Sequence, residues 1–424
     1  MDIISFKNIN FTEIFKIDET NRNIGYSLLN DVFIVGRNYF YPNVLLLSEE
    51  KIISPYDEKI MSLNKDSFYD NNKYYLDNYL KIGSIIINKP VFFLIYNFDN
   101  YYHFIYDTLP YLFTYLYLKK NIPDLKLLLN YPNKNLEKLY KFNTDFLEKI
   151  ININDIIIHN VKDVYIYKKI YISTSLTHGG FSNNPPRKEI YQIYDLIKNN
   201  IKYENINEKY INLDNNFKKI YISRRTWINK DNSNLGTDYT TRRKMMNEDE
   251  LVNELNKKGF IEIFAENLNS DEKIYLFSNA DVICGSIGGG MANLLFSKNE
   301  TKSVVFITPF FLDINFRFKY SLEHTDITYF NDIITHKENN KIPLYCRVKM
   351  INEKSKYFSK YGEISEYDKE KNKYLVNISN NDVAGFNNNI KFDNDFFNDI
   401  EFVLLDQGLN SPYIININKL IRFL

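Results

Sequence analysis

Four of the chain's 14 glycines fall within six residues, in the run Cys284-Gly285-Ser286-Ile287-Gly288-Gly289-Gly290-Met291-Ala292-Asn293. At the average usage of about 7 %, a chain of this length would hold about 30 glycines, so their concentration here calls for a local reason. Asp281-Val282-Ile283-Cys284 reads as a short buried strand, and Met291 to Phe296 as the start of a helix. A strand, a turn without side chains and a helix N-terminus bring bare N–H groups and the positive end of the helix dipole to one point. In an α/β sheet that point lies at the carboxyl edge of the strands, where ligands bind. The cluster is therefore read either as an anion seat or as a tight turn that lets helix and strand pack closely.

What surrounds the turn argues for a layered α/β protein. Ile220-Tyr221-Ile222 is a strand, Asn247 to Lys257 a helix closed by Gly259, Ile261 to Phe264 a strand and Asp271 to Ser278 a helix. The glycine turn and its helix come next, then a strand from Ser303 to Ile307. This alternation predicts a parallel sheet with helices on both faces. A similar alternation runs earlier, with strands at 85–87, 91–96, 125–129, 156–158 and 170–172, and helices from Asn100 to Lys119 and from Pro185-Pro186 to about Lys202.

The expected organisation is a strand-rich N-terminal segment (1–85), a Rossmann-like domain (86–202), an Asn-rich linker (203–215), a second Rossmann-like domain (216–335) and a small β-containing appendage (336–424). Two facing Rossmann-like domains imply a cleft between them.

Charge and targeting signals narrow the function. Lys+Arg and Asp+Glu are both 53, so no overall positive field draws the chain to nucleic acid or an anionic membrane. The first residues lack the basic and apolar regions of a signal peptide. No apolar run reaches the roughly 20 residues that span a bilayer. With only Cys284 and Cys346, a disulfide-built fold is not expected. These features read as a soluble, cytoplasmic protein.

Several residues could carry chemistry. His103 and Asp107 are four apart and share a helix face, with Asn100 one turn earlier. An imidazole beside a carboxylate is held in one tautomer and made more basic, as a general base requires; the same pair could instead tether the helix to neighbouring loops. Pro110 has no N–H for the carbonyl of Tyr106, so it kinks the helix or frees an acceptor there. Arg224 and Arg225 follow a strand, and Arg242 and Arg243 precede a helix, all on the carboxyl edge of the sheet. Guanidinium groups there could stabilise a departing diphosphate or simply be surface charge. Glu266, after the second strand of its unit, could receive a ribose hydroxyl or be a solvated loop carboxylate. Asn293 could contact a ligand or support the turn.

Asp393-Asn394-Asp395 has a metal-binding form but sits in an Asn/Asp-rich tail. The five histidines are scattered, so no metal site is expected.

Three stretches in order resemble glycosyltransferase family 61. They are Asn100-Tyr101-Tyr102-His103-Phe104 through Asp107-Thr108-Leu109-Pro110; Ser223-Arg224-Arg225 with Arg243 and Asn247-Glu248-Asp249-Glu250-Leu251; and Phe277-Ser278-Asn279-Ala280-Asp281 through the glycine turn to Asn293 and Phe296. Two positions depart from the family pattern: Ile287 stands where His is usual, and Phe306 where Glu is common.

The resemblance implies a two-domain transferase of the GT-B type. It would act by inverting displacement, without a metal or other cofactor, from a UDP-sugar (N-acetylglucosamine or xylose) to a glycan or protein hydroxyl. His103 and Asp107 are the implied catalytic pair and Asn100 an acceptor contact. Arg224, Arg243, Glu266, Gly288, Gly289, Gly290 and Asn293 are the implied donor contacts. Ile287 and Phe306 motivate a second reading, a catalytically silent member that binds a glycan or protein. A third, a Rossmann oxidoreductase or methyltransferase, is disfavoured because the glycine turn does not follow the first strand of its unit.

Overall fold

The computed structural model describes residues 2–5, 9–36, 44–48, 51–54, 85–94, 100–130, 139–159, 165–177, 184–211, 218–225, 245, 247–307, 316–334, 347–379, 393–404 and 413–424. Its first sheet is mixed. Strands β1 (Asp2–Ser5), β2 (Thr12–Phe15), β3 (Ile24–Gly36), β4 (Val44–Ser48) and β5 (Lys51–Ser54) form its N-terminal part. Strands β6 (Ile85–Ile87), β7 (Val91–Phe93), β8 (Lys126–Asn130), β9 (Ile156–His159) and β10 (Tyr165–Ser173) complete it. The path is β1-β5-β4-β3-β10-β7-β8-β9. β10, β7, β8 and β9 are parallel, while β3 joins β10 antiparallel over a long register from Phe33–Ile166 to Tyr26–Ser173. The N-terminal strands thus extend the sheet of the following α/β unit.

The second sheet is wholly parallel. β11 (Lys219–Ile222), β12 (Ile261–Ile263), β13 (Val282–Ser286), β14 (Lys302–Phe306) and β15 (Asp326–Phe330) lie in the order β12-β11-β13-β14-β15. Chain order reverses between β11 and β13, and ligands of open α/β sheets bind outside the carboxyl ends of such a strand pair. The glycine turn follows β13, the direct neighbour of the unit's first strand. Alternation divides the side chains between two cores: Ile220, Ile222, Ile283 and Val305 face one side, and Tyr221, Cys284, Val304 and Phe306 the other.

The first of these cores is continuous with the core of the other sheet, running through Phe92, Leu128, Tyr194 and Phe296 to Leu322. The opposite face is covered by the chain's C-terminal end, where Tyr413, Ile415, Ile417 and Leu420 pack on Tyr221, Cys284 and Phe306. Residues 347–379 and 393–404 form an antiparallel five-stranded sheet with its own core around Val348, Ile364, Val376 and Phe402. Asp393-Asn394-Asp395 lies in an outer strand of that sheet, Asp393–Phe397. Among the described residues no helix is long and apolar enough to cross a membrane.

Helical boundaries differ from expectation in three places. The helix expected from Pro185 begins at Ile190 and ends at Asn199. The stretch read as a linker holds a 3-10 turn, Tyr203–Asn205, and a short helix, Glu208–Ile211. The glycine turn opens a 3-10 helix, Gly289–Phe296, which follows extended backbone at Gly288.

A buried ion pair joins the two units. Asp271, in the first turn of the helix Ser270–Asn279, pairs with Lys149, and both side chains are almost fully buried. Asp271 also accepts from the Lys202 N–H at 3.0 Å and from Asn205 Nδ2 at 2.8 Å, which holds its carboxyl below the usual range despite burial. The Asn205 and Asn207 backbones are tied to the same helix cap, by Asn269 and Glu272 respectively. Asp271→Asn strands the Lys149 charge in the interior, so we expect a loss of about 3–5 kcal/mol in urea unfolding. A loss below about 1 kcal/mol would show that solvent reaches the pair.

Candidate active site

The helix expected from Asn100 to Lys119 is present, with an irregularity at its centre. Asn100 caps it, accepting the His103 N–H at 3.3 Å. Tyr101–His103 is followed by a π-turn at Phe104–Thr108, a 3-10 turn at Leu109–Tyr111 and α-helix at Leu112–Lys119. Pro110 accounts for one consequence. In the π-turn the Leu109 N–H reaches back to the Phe104 carbonyl, so the Ile105 carbonyl would next be served by residue 110, which has no N–H. The Tyr194 hydroxyl donates to that carbonyl at 3.0 Å. The acceptor seen to be supplied from elsewhere is thus that of Ile105, one residue before the expected Tyr106.

His103 Nδ1 lies 2.6 Å from Asp107 Oδ2. Asp107 is 0 % exposed and His103 7 %, so the carboxylate is wholly interior and the imidazole reaches the surface only at its edge. A guanidinium that no sequence motif singles out stands near by. Arg22 is buried, donates to the carbonyls of Pro185, Thr177 and Asn184 at 2.9–3.1 Å, and lies within electrostatic reach of Asp107, Tyr106 and Tyr111. Burial pushes its pKa down, and these neighbours oppose the shift.

The glycine turn meets a different neighbour at each position. A Cβ at Gly288 would come 2.6 Å from Arg224 Nη1, and one at Gly290 would come 2.9 Å from Ile222 Cγ2. A Cβ at Gly289 would stand 3.9 Å from the Tyr101 ring. Arg224 Nη1 donates to the Ile287 carbonyl at 3.0 Å. Its own N–H is held by Glu248 Oε1, which also accepts from Tyr221 and Ser223. Asn293 is fully buried: it donates to the Gly290 carbonyl at 2.9 Å and accepts from the Tyr101 hydroxyl at 2.5 Å. Through that last bond the His103 helix is tied directly to the glycine-turn helix.

The remaining candidates separate into two groups. Glu266 lies at the same sheet edge; burial raises its pKa, and Arg224 and Lys273 draw it back down. Arg225 turns away into a surface network, forked on Glu262 and paired with Asp249. Arg243 lies outside the described residues. Ile287 and Phe306 both put their side chains into apolar packing, at 2 % and 1 % exposure, and Phe306 stacks on Tyr221. Two further residues reach the site from places where no motif points. Tyr413 bonds Ser286 at the end of β13 and adds to the field at Arg224. Lys273, on the helix Ser270–Asn279, lies over the Tyr101 ring. A lone lysine in a run of helix formers gives no signal of this in sequence.

Residues 101–304 match the family model described as Glycosyltransferase 61. This segment belongs to glycosyltransferase family 61, and the chain is a glycosyltransferase. The match spans the capped helix, Arg224, Glu266 and the glycine turn, and leaves Arg22 and Tyr413 outside it. No curated protein matches the chain.

The contacts at the turn predict unequal costs for adding one methyl group. Gly290→Ala must displace a β-branched core side chain, for about 1–3 kcal/mol. Gly288→Ala meets only the movable end of Arg224 and should cost less than about 1 kcal/mol. Thermal melts of the two variants test this, and the reverse ranking would contradict the packing described.

Proposed function

We propose, with the glycosyltransferase 61 domain as the premise, that this enzyme transfers a sugar from UDP to a hydroxyl of a glycan or protein, with inversion and without a metal. N-acetylglucosamine and xylose are the sugars the family resemblance favours. The observation that carries the reading is the Tyr101–Asn293 hydrogen bond. It joins a helix bearing a His–Asp pair to a glycine turn bearing the half-buried Arg224 guanidinium, so base and leaving-group contacts would belong to one assembly. The proposed arrangement is GT-B-like, with the all-parallel unit taking the donor and the Asn100–Pro110 helix presenting the acceptor.

Each group then has a defined task. His103 takes the proton from the acceptor hydroxyl, and Asp107 holds its ring through Nδ1. The freed oxygen attacks the anomeric carbon, and the bond from that carbon to the diphosphate oxygen breaks on the opposite face. Negative charge passes to the leaving UDP, where Arg224, Arg243 and the N–H groups of Gly289 and Gly290 would meet it. Glu266 would receive a ribose hydroxyl, Asn100 would contact the acceptor, and Asn293 would hold the turn in shape between its two partners. The buried side chains of Ile287 and Phe306 favour a second reading, a silent member that binds glycan or protein.

Calorimetry with UDP, GDP, CDP and dTDP separates the two: a folded sample that binds none of them overturns the donor site and favours the silent reading. For the chemistry, Asp107→Asn keeps the side-chain shape and removes its charge. We expect transfer to fall about 10²-fold or more, with UDP affinity nearly unchanged. If nucleotide binding weakens while the rate is spared, the helix lies on the wrong side of the reaction.

A further inference from the structure

Lys273 is a cation with an unfinished environment. It projects from the helix Ser270–Asn279, and its ammonium lies 4.9 Å from the centre of the Tyr101 ring. Among the described residues its ammonium donates no hydrogen bond and makes no ion pair. The carboxylates that influence it, Glu266, Asp145 and Glu272, act at longer range. Glu266 is shared, since it also faces Arg224.

Lys273 is half-buried; an ammonium partly withdrawn from water without a close counter-charge carries a desolvation cost that contact with a ring face only partly returns. Such a site is completed by an anion. The position fits one. Tyr101, beneath the ammonium, packs beside Gly289 and bonds Asn293, while Arg224 occupies the Gly288 end of the same turn. Gly289 and Gly290 are partly open to solvent.

We propose that Lys273 is a second cation for the donor diphosphate, meeting it from the Tyr101 side of the glycine turn while Arg224 serves the Gly288 side. The proposal rests on the donor-site reading above and adds to it a charge that can be titrated. Burial, the largest influence, lowers the Lys273 pKa to about 8; Glu266, Asp145 and Glu272 raise it, and Lys141 lowers it further. The ammonium is therefore mostly protonated at pH 7 and mostly neutral at pH 9. A terminal phosphate loses its second proton near pH 6, so the diphosphate carries nearly its full charge throughout this interval. Loss of the lysine proton alone then weakens binding, by about tenfold between pH 7 and pH 9.

UDP is titrated into the full-length protein, Lys273→Met and Lys273→Arg, by calorimetry at pH 7, 8 and 9, with thermal melts confirming that each is folded. For the wild type we expect the tenfold loss. Lys273→Met should bind about 10- to 100-fold more weakly at pH 7, as for a lost charge-assisted contact, with little further change up to pH 9. Lys273→Arg keeps its proton at all three values and should flatten the profile without the loss at pH 7. If UDP binds and Lys273→Met shows the wild-type profile, Lys273 does not touch the diphosphate and the inference fails while the donor site stands. If folded wild-type protein binds no UDP at any pH, the donor site fails and takes the inference with it.

Discussion

The site depends on a stretch of backbone that carries no side chains. At Gly288 and Gly290 the Arg224 guanidinium and Ile222 approach closer than a Cβ would allow, and the Tyr101 ring lies in ordinary contact range of Gly289. Parts of two sheets converge there. Arg224 comes from the end of β11, Tyr101 from the capped helix and Asn293 from the turn's own 3-10 helix. Hydrophobic packing brings these elements near one another, and the close fit of Gly290 against Ile222 seats the turn on the end of β11.

Buried polar groups then fix the arrangement in register. Glu248 collects Tyr221, Ser223 and the Arg224 N–H on one oxygen, so the end of β11 cannot shift without leaving several interior donors unpaired. Asp271 does the same for Lys149, Lys202 and Asn205. Satisfied networks of this kind add modest net stability, yet they penalise every alternative packing heavily. The residues that position the chemistry are accordingly more buried than those expected to meet substrate.

Much of this was legible in the sequence, because the signals are local. The four-residue spacing of His103 and Asp107, the alternation of strands and helices, and the strand-to-turn transition at Cys284–Gly288 all rest on near neighbours. What was not legible depends on partners distant in the chain. Lys273 reads as ordinary helix charge until Tyr101 is beneath it. Arg22 reads as a loop arginine until the segments around Thr177 and Pro185 fold over it. The 3-10 form of the helix after the turn, and the Ile105 carbonyl supplied by Tyr194, were missed because periodicity reports amphipathic faces and is silent about which carbonyl each N–H reaches. Conversely, Arg224 and Arg225 are adjacent and alike in sequence, and only tertiary context sends one to the turn and the other into a surface ion network.

The core that runs unbroken from Phe92 to Leu322 limits how freely this protein can be rearranged. Exchanging halves between related enzymes, a common route to new donor or acceptor preferences, presumes a seam across which little is buried. Here the exchange would cut through Phe146 stacked on Phe296, and through Tyr194, which touches Phe296 while holding the Ile105 carbonyl. A chimera made at the polar stretch after Lys202 would inherit mismatched aromatic surfaces between its two sheets. Change by single substitutions is therefore better tolerated by this core than modular exchange.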